Sequence, residues 1–172
     1  MRPNLYVDES KSGNFLLTAV LVQANQHHQV TRAVRALPLR HQTRIHMCKE
    51  SDPRRRHIIN FVLTLGVTCE VFESTARSDL DARTSCLRAL ADRAAELKAR
   101  AIVIERDDSV VKQDRAVLRS ALSTTDIEYR HLRGREDPLL WIADVVAWCW
   151  QRGREWRRQI QPIVSRVHIV EE

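Results

Sequence analysis

Glycine and proline are scarce, at four and five residues in 172, which leaves little room for long structureless linkers. The four cysteines, Cys48, Cys69, Cys86 and Cys149, show no short paired spacing. That excludes a zinc knuckle or a Cys-x-x-Cys redox motif and reads as reduced thiols in a core. No apolar run approaches the ~18 residues of a membrane span, and the opening MRPNLYVDES reaches charged residues too early for a secretory signal. A cytoplasmic location, away from any membrane, is the expectation. Also missing are a Gly-rich phosphate loop, a Gly-x-Ser-x-Gly elbow and a His-Glu-x-x-His zinc helix.

What is present is a globular composition, 44% hydrophobic and 29% charged, in a chain long enough to bury one sizeable core. Residues 1–172 are therefore read as a single domain. The formal net charge is +6 and the pI about 9.6, a balance that favours an anionic partner, nucleic acid first. Arginine outnumbers lysine 24 to 4. Planar guanidinium suits bidentate phosphate contacts, although base composition of the genome produces the same bias.

Apolar periodicity orders the elements. Asn4 to Val7 and Phe15 to Val22 flank Lys11-Ser12-Gly13-Asn14 and predict a hairpin. Val30, Val34 and Leu37 mark a helix stopped by Pro38, and Arg44 to Cys48 alternates like a third strand. Ser51-Asp52-Pro53 opens a capped helix that Gly66 ends. Val67 to Phe72 is a strand and Ser78 to Arg100 the longest amphipathic helix; Ala101 to Ile104 is a buried strand. Lys112 to Leu122 is helical, Ile127 to Leu132 a short strand, Pro138 to about Arg158 one apolar helix, and Ile163 to Val170 an edge strand or loose. A hairpin followed by alternating strands and helices predicts a mixed α/β sheet with helices on its faces.

Asp144 is the most informative residue, because it interrupts the otherwise core-like Leu139-Leu140-Trp141-Ile142-Ala143-Asp144-Val145-Val146-Ala147-Trp148. A carboxylate there needs a donor, a cation or an opening to water. Asp137, Asp144 and Gln151 also recur every seven residues, the spacing of a thin solvated stripe. Asp8 follows Leu5-Tyr6-Val7 where a buried strand emerges; strand alternation sends Glu9 to the opposite face, so Asp8 is the choice to join Asp144. Glu105 ends the most apolar strand, with Asp107 and Asp108 beside it, and supplies a third carboxylate. Acids so crowded need a shared proton or a divalent cation. An all-oxygen set suits Mg2+ or Mn2+, and two such ions about 4 Å apart activate water and stabilise a leaving oxygen.

His46 is a further candidate, as proton carrier or phosphate contact, and Glu50 as a metal ligand or a helix N-terminal charge. The densest basic clusters are Arg54, Arg55 and Arg56, and Arg152, Arg154, Arg157 and Arg158, the second interleaved with Trp150 and Trp156. They are read as a phosphate-backbone surface with indoles for base stacking, or else as a solvated helix face beside core tryptophans.

Three stretches resemble domain-of-unknown-function family 3800, a ribonuclease H-like group from bacteria and their mobile elements. Tyr6-Val7-Asp8-Glu9-Ser10 with Phe15 to Val22 resembles its opening hairpin, Arg44-Ile45-His46 its third strand, and Trp141 to Trp148 its late Ala-Asp helix. The resemblance spans roughly residues 4–156 and implies a ribonuclease H-like sheet with acids gathered at one edge, so that Asp8 and Asp144 carry over directly. Glu105 stands where family members often show aspartate, and glutamate also ligates metals. The expectation is a metal-dependent nuclease in which Asp8, Glu105 and Asp144 bind Mg2+ or Mn2+, with His46 or Glu50 assisting. The alternative is a non-catalytic nucleic-acid- or protein-binding module of a mobile-element or phage-defence system. Either reading leaves room for a homo-oligomer or a protein partner.

Overall fold

The computed structural model describes residues 1–171. Its centre is the hairpin. Strands β1 (Asn4–Ser10) and β2 (Leu16–Val22) pair antiparallel with Asp8 opposite Thr18. Every residue of β2 is buried, as suits a strand covered on both faces. The sheet extends to six strands in the order β5-β4-β1-β2-β3-β6. Strand β3 (Thr68–Ser74) pairs antiparallel with β2, while β4 (Ala101–Glu105) lies parallel to β1 and β5 (Glu128–Leu132) parallel to β4. The tail forms a true edge strand, β6 (Val164–Val170), parallel to β3.

Alternation along the strands builds two cores. Tyr6 and Val103 face one side, packed with α1 (His27–Arg35), α2 (Asp52–Leu63), α5 (Leu139–Arg152) and α6 (Arg154–Ile160). Leu5, Val7, Ile102 and Ile104 face the other, under α3 (Asp79–Glu96) and α4 (Val111–Ala121). The helix starts follow the capping rules read from sequence: the Ser51 and Ser78 hydroxyls accept from the amides of Arg54 and Asp81. No helix among the described residues is long and apolar enough to cross a membrane.

Two expectations fail. Arg44 to Cys48 is not a strand: His46 is extended, and a 3-10 turn, Met47–Lys49, follows. Ile45 and Met47 are both buried, which explains the alternation, but the Met47 amide donates to the Asp144 carboxylate instead of a strand partner. The apolar helix expected over 138–158 breaks in two at Gly153. Its φ of 73° is a left-handed conformation that glycine adopts without steric cost, and its amide closes the last turn on the Cys149 carbonyl.

Candidate active site

Period-2 alternation decides which acids meet. Asp8 lies on the Tyr6 face of β1, and Glu105 on the Val103 face of the neighbouring β4, where Val7 and Ile104 are in register. Helix α5 crosses this face against β1 and β2. The Thr18 hydroxyl of β2 donates to the Ala143 carbonyl at 2.9 Å and so fixes the helix one residue before Asp144. The Asp8 carboxyl is within hydrogen-bonding reach of Glu105 and feels the charge of Asp144. The three acids proposed from sequence are thus brought together at the carboxyl ends of two parallel strands.

Their partners differ. Glu105 accepts from Arg44 Nη1 at 2.8 Å, Asp144 accepts from the Met47 amide at 2.8 Å, and Asp8 accepts only from the adjoining Glu9 amide at 2.7 Å. Burial, then the charges of Glu105 and Asp144, push the Asp8 carboxyl well above the ordinary aspartate range. Burial also raises Asp144, against the pull of the Met47 amide, His46 and Arg44. Burial works against the charge on Arg44, but Glu105, Asp144 and Asp8 together hold it firmly protonated.

The other sequence candidates divide. His46 stands beside Asp144, close enough for its charge to act there, and its Nε2 lies 3.3 Å from the Cys48 thiol. Glu50 is buried and accepts from Gln42 Nε2 at 2.9 Å, a partner that serves the loop and not the acids. Arg55 donates to the carbonyls of Met47 at 2.9 Å and Cys48 at 3.2 Å and stacks over Trp148. It therefore clamps the turn whose amide holds Asp144. Arg54 donates to the Leu37 carbonyl, and Arg157 to the Trp150 carbonyl at 3.0 and 2.7 Å. Arg56, Arg152, Arg154 and Arg158 stay exposed. Trp150 is buried, and Trp156 packs edge-on against Trp148, their centroids 5.0 Å apart, so neither indole presents a free face as read from sequence.

Asp137, Asp144 and Gln151, expected as a thin solvated stripe, are each partly exposed, with Asp137 just before α5 and Trp148 joining the other two on the helix. Trp148 and Gln151 line a groove of about 630 Å3 with Lys11, Ser12, Cys48 and Arg152. Gly134 matters for a different reason. A Cβ there would overlap the Arg44 guanidinium. Gly134→Ala is expected to keep the fold but displace Arg44 from Glu105, lowering the unfolding free energy by about 1 kcal/mol, as read by urea denaturation.

Sequence reasoning missed a buried network on the opposite face. Arg83 of α3 forks onto Asp114 of α4 with two contacts of 2.7 Å, and His131 of β5 meets the same carboxylate at 2.9 Å. The remaining Arg83 nitrogen binds Glu9, so the residue after Asp8 is tied down from below. A signal existed: Asp114 falls between Val111 and Leu118 at core spacing on α4, and Arg83 among Ala82, Cys86 and Leu87 on α3.

The topology, with its antiparallel hairpin inside a mixed sheet and acids at the ends of β1 and β4, is that of a ribonuclease H-like fold. Among solved structures the chain is similar to one of the PCNA:RNase HII complex from Archaeoglobus fulgidus. The TM-score is 0.54 at 15% identity, over 93% of this chain and 75% of that one. No family model matches the chain, and no curated protein matches it. The resemblance to family 3800 therefore rests on the stretches quoted above.

Proposed function

We propose that this chain, as a member of domain-of-unknown-function family 3800, is a divalent-metal-dependent nuclease working through Asp8, Glu105 and Asp144. The observation that carries the reading is Asp8: a largely buried carboxylate facing two others, without the arginine that serves Glu105 or the turn amide that serves Asp144. Such a group is costly unless a proton or cation joins it. Among the described residues no three or more His, Cys, Asp or Glu side chains are arranged as they stand to hold a metal ion. The chemistry of the donor set fits a hard cation all the same, since it is oxygen only and carries excess negative charge beside an opening to solvent.

Asp8, Glu105 and Asp144 would hold Mg2+ or Mn2+, which supplies an activated water and neutralises charge on a phosphodiester. The protein's own groups do the positioning. The Met47 amide orients Asp144, and Arg55 secures that turn. Arg44 would keep Glu105 from repelling a phosphate approaching Asp8, and His46, beside Asp144, would assist there or contact the phosphate. The likeness to a structure containing RNase HII supports nucleic acid as the substrate class.

The test is cleavage of DNA and RNA panels with Mg2+ or Mn2+, beside thermal unfolding, for the parent, Asp8→Asn and Asp144→Asn. At a cation concentration 100 times Kd the parent should gain about 2.7 kcal/mol, with metal-dependent cleavage, and both variants should lose most of each. Equal metal shifts in all three proteins, with no cleavage, would replace the nuclease by a binding module.

A further inference from the structure

The arginines picked out by sequence clustering are not those that crowd the acid site. At the carboxyl ends of β4 and β5, a groove of about 410 Å3 is lined by Arg44, Arg106, Arg133 and Arg135, with Glu105 and Gly134. Its size falls in the range of small-ligand sites, about 300–1,000 Å3. Four guanidinium groups meet one carboxylate of the lining, Glu105, and a second beside it, Asp108. Arg44 spends its charge on Glu105 at 2.8 Å. Asp108 accepts from Arg106 Nε at 2.7 Å and from Arg133 Nη2 at 3.0 Å. One exposed carboxylate thus holds two guanidinium groups side by side, each with further N–H donors uncommitted. Arg135 is exposed and makes no ion pair among the described residues.

Four cations against the two carboxylates Glu105 and Asp108 leave positive charge in excess, and the guanidinium groups repel one another. They are favourable for an anion with several acceptor oxygens, and the planar fork of arginine matches phosphate. The groove ends on Glu105, one of the three clustered acids, so an anion in it is adjacent to whatever is bound at Asp8.

We propose that this groove holds a phosphate of a single nucleic-acid strand next to the phosphate at the acid site, with Arg133 and Arg135 as its contacts and Arg106 in support. The assignment rests on the nuclease reading for the strand's direction into the groove, and it moves the principal phosphate surface away from α2 and α6. Gly134 keeps the groove floor low enough for Arg44 to lie between the two anions. Arg133 and Arg135 are both exposed, so removing them costs little stability, within about 0.5 kcal/mol.

The experiment is fluorescence anisotropy with labelled single-stranded DNA and RNA ten-mers and the full chain carrying Asp8→Asn, which leaves the strand uncut. Adding Arg133→Ala with Arg135→Ala should weaken binding about tenfold or more and flatten the slope of log K against log salt by about 1.4, two contacts at ~0.7 each. Adding Arg154→Ala with Arg158→Ala should change the affinity less than twofold. Unfolding curves confirm that each variant is folded. The proposal is overturned by unchanged binding in the Arg133/Arg135 pair, by absence of binding to either ten-mer at low salt, or by inorganic phosphate or a mononucleotide binding as tightly as the ten-mer. Failure of the nuclease reading looks different: the parent cuts nothing, while binding still depends on Arg133 and Arg135. Cleavage that persists with both arginines dispensable removes the groove alone.

Discussion

Asp114→Ala should cost about 3–5 kcal/mol, the usual consequence of stripping one partner from a buried ion pair, and so a large part of the roughly 5–15 kcal/mol that stabilises a domain. Asp114 is 0% exposed and Arg83 3%. The substitution leaves the buried Arg83 guanidinium with Glu9 as its one remaining carboxylate and removes the partner of His131 Nε2, whose Nδ1 is already buried without one. Urea denaturation would measure it, and a loss under 1 kcal/mol would show that the network is not what holds α3, α4 and β5 together. Replacing both partners, Arg83→Met with Asp114→Leu, should recover much of the loss, because the desolvation penalty goes with the charges. Burial opposes ionisation of Asp114, but the hydrogen bonds from Arg83 and His131 outweigh it and hold the carboxyl below the ordinary range. The folded state thus binds fewer protons than the unfolded one, so this stability is present above the ordinary aspartate value and is lost as pH falls through the depressed one. The effect reaches the acid site because Arg83 also binds Glu9, the neighbour of Asp8.

The second large effect has the opposite sign. Asp8→Asn should raise stability at neutral pH in EDTA by about 0.5–2 kcal/mol, the size of gain that a single stabilising substitution commonly gives. Burial and the charges of Glu105 and Asp144 raise the Asp8 carboxyl well above its unfolded value. Between the two values the native state holds the extra proton, and its contribution is complete below the unfolded value. As pH climbs through the raised folded value, that contribution disappears. Metal-free parent protein should therefore become less stable across that window, and Asp8→Asn should show a flatter profile. Adding Mg2+ or Mn2+ should reverse the ranking, since only the parent gains by binding. Parallel pH profiles for the two proteins would mean that the charge on Asp8 is already compensated, and the nuclease reading would lose its support.

Legibility varied with the kind of information each residue carries. Asp8, Glu105 and Asp144 were readable because each interrupts or ends an apolar run, and alternation along a strand assigns a face. Glu50 was not, since a buried acid at a helix start looks the same in sequence whether it meets a metal or the Gln42 amide. Arg54, Arg55 and Arg157 show the limit of charge clustering: a run of arginines says nothing of the backbone carbonyls the guanidinium groups find. Gly153, between two arginines, gave no sign that the positive φ there would end one helix and begin another.

By itself the sequence determined the mixed sheet, its opening hairpin, the two apolar faces and the three carboxylates that interrupt or end apolar runs, because burial and periodicity are local properties that repeat along the chain. Only the tertiary structure decided which charges are spent. Arg44 came to Glu105 across 61 positions, Asp144 to the Met47 amide across 97, and Arg83 to Asp114 across 31. The physical reason is that a charge is satisfied by whatever lies within a few ångströms, and the fold, through strand order and helix crossing, sets those distances.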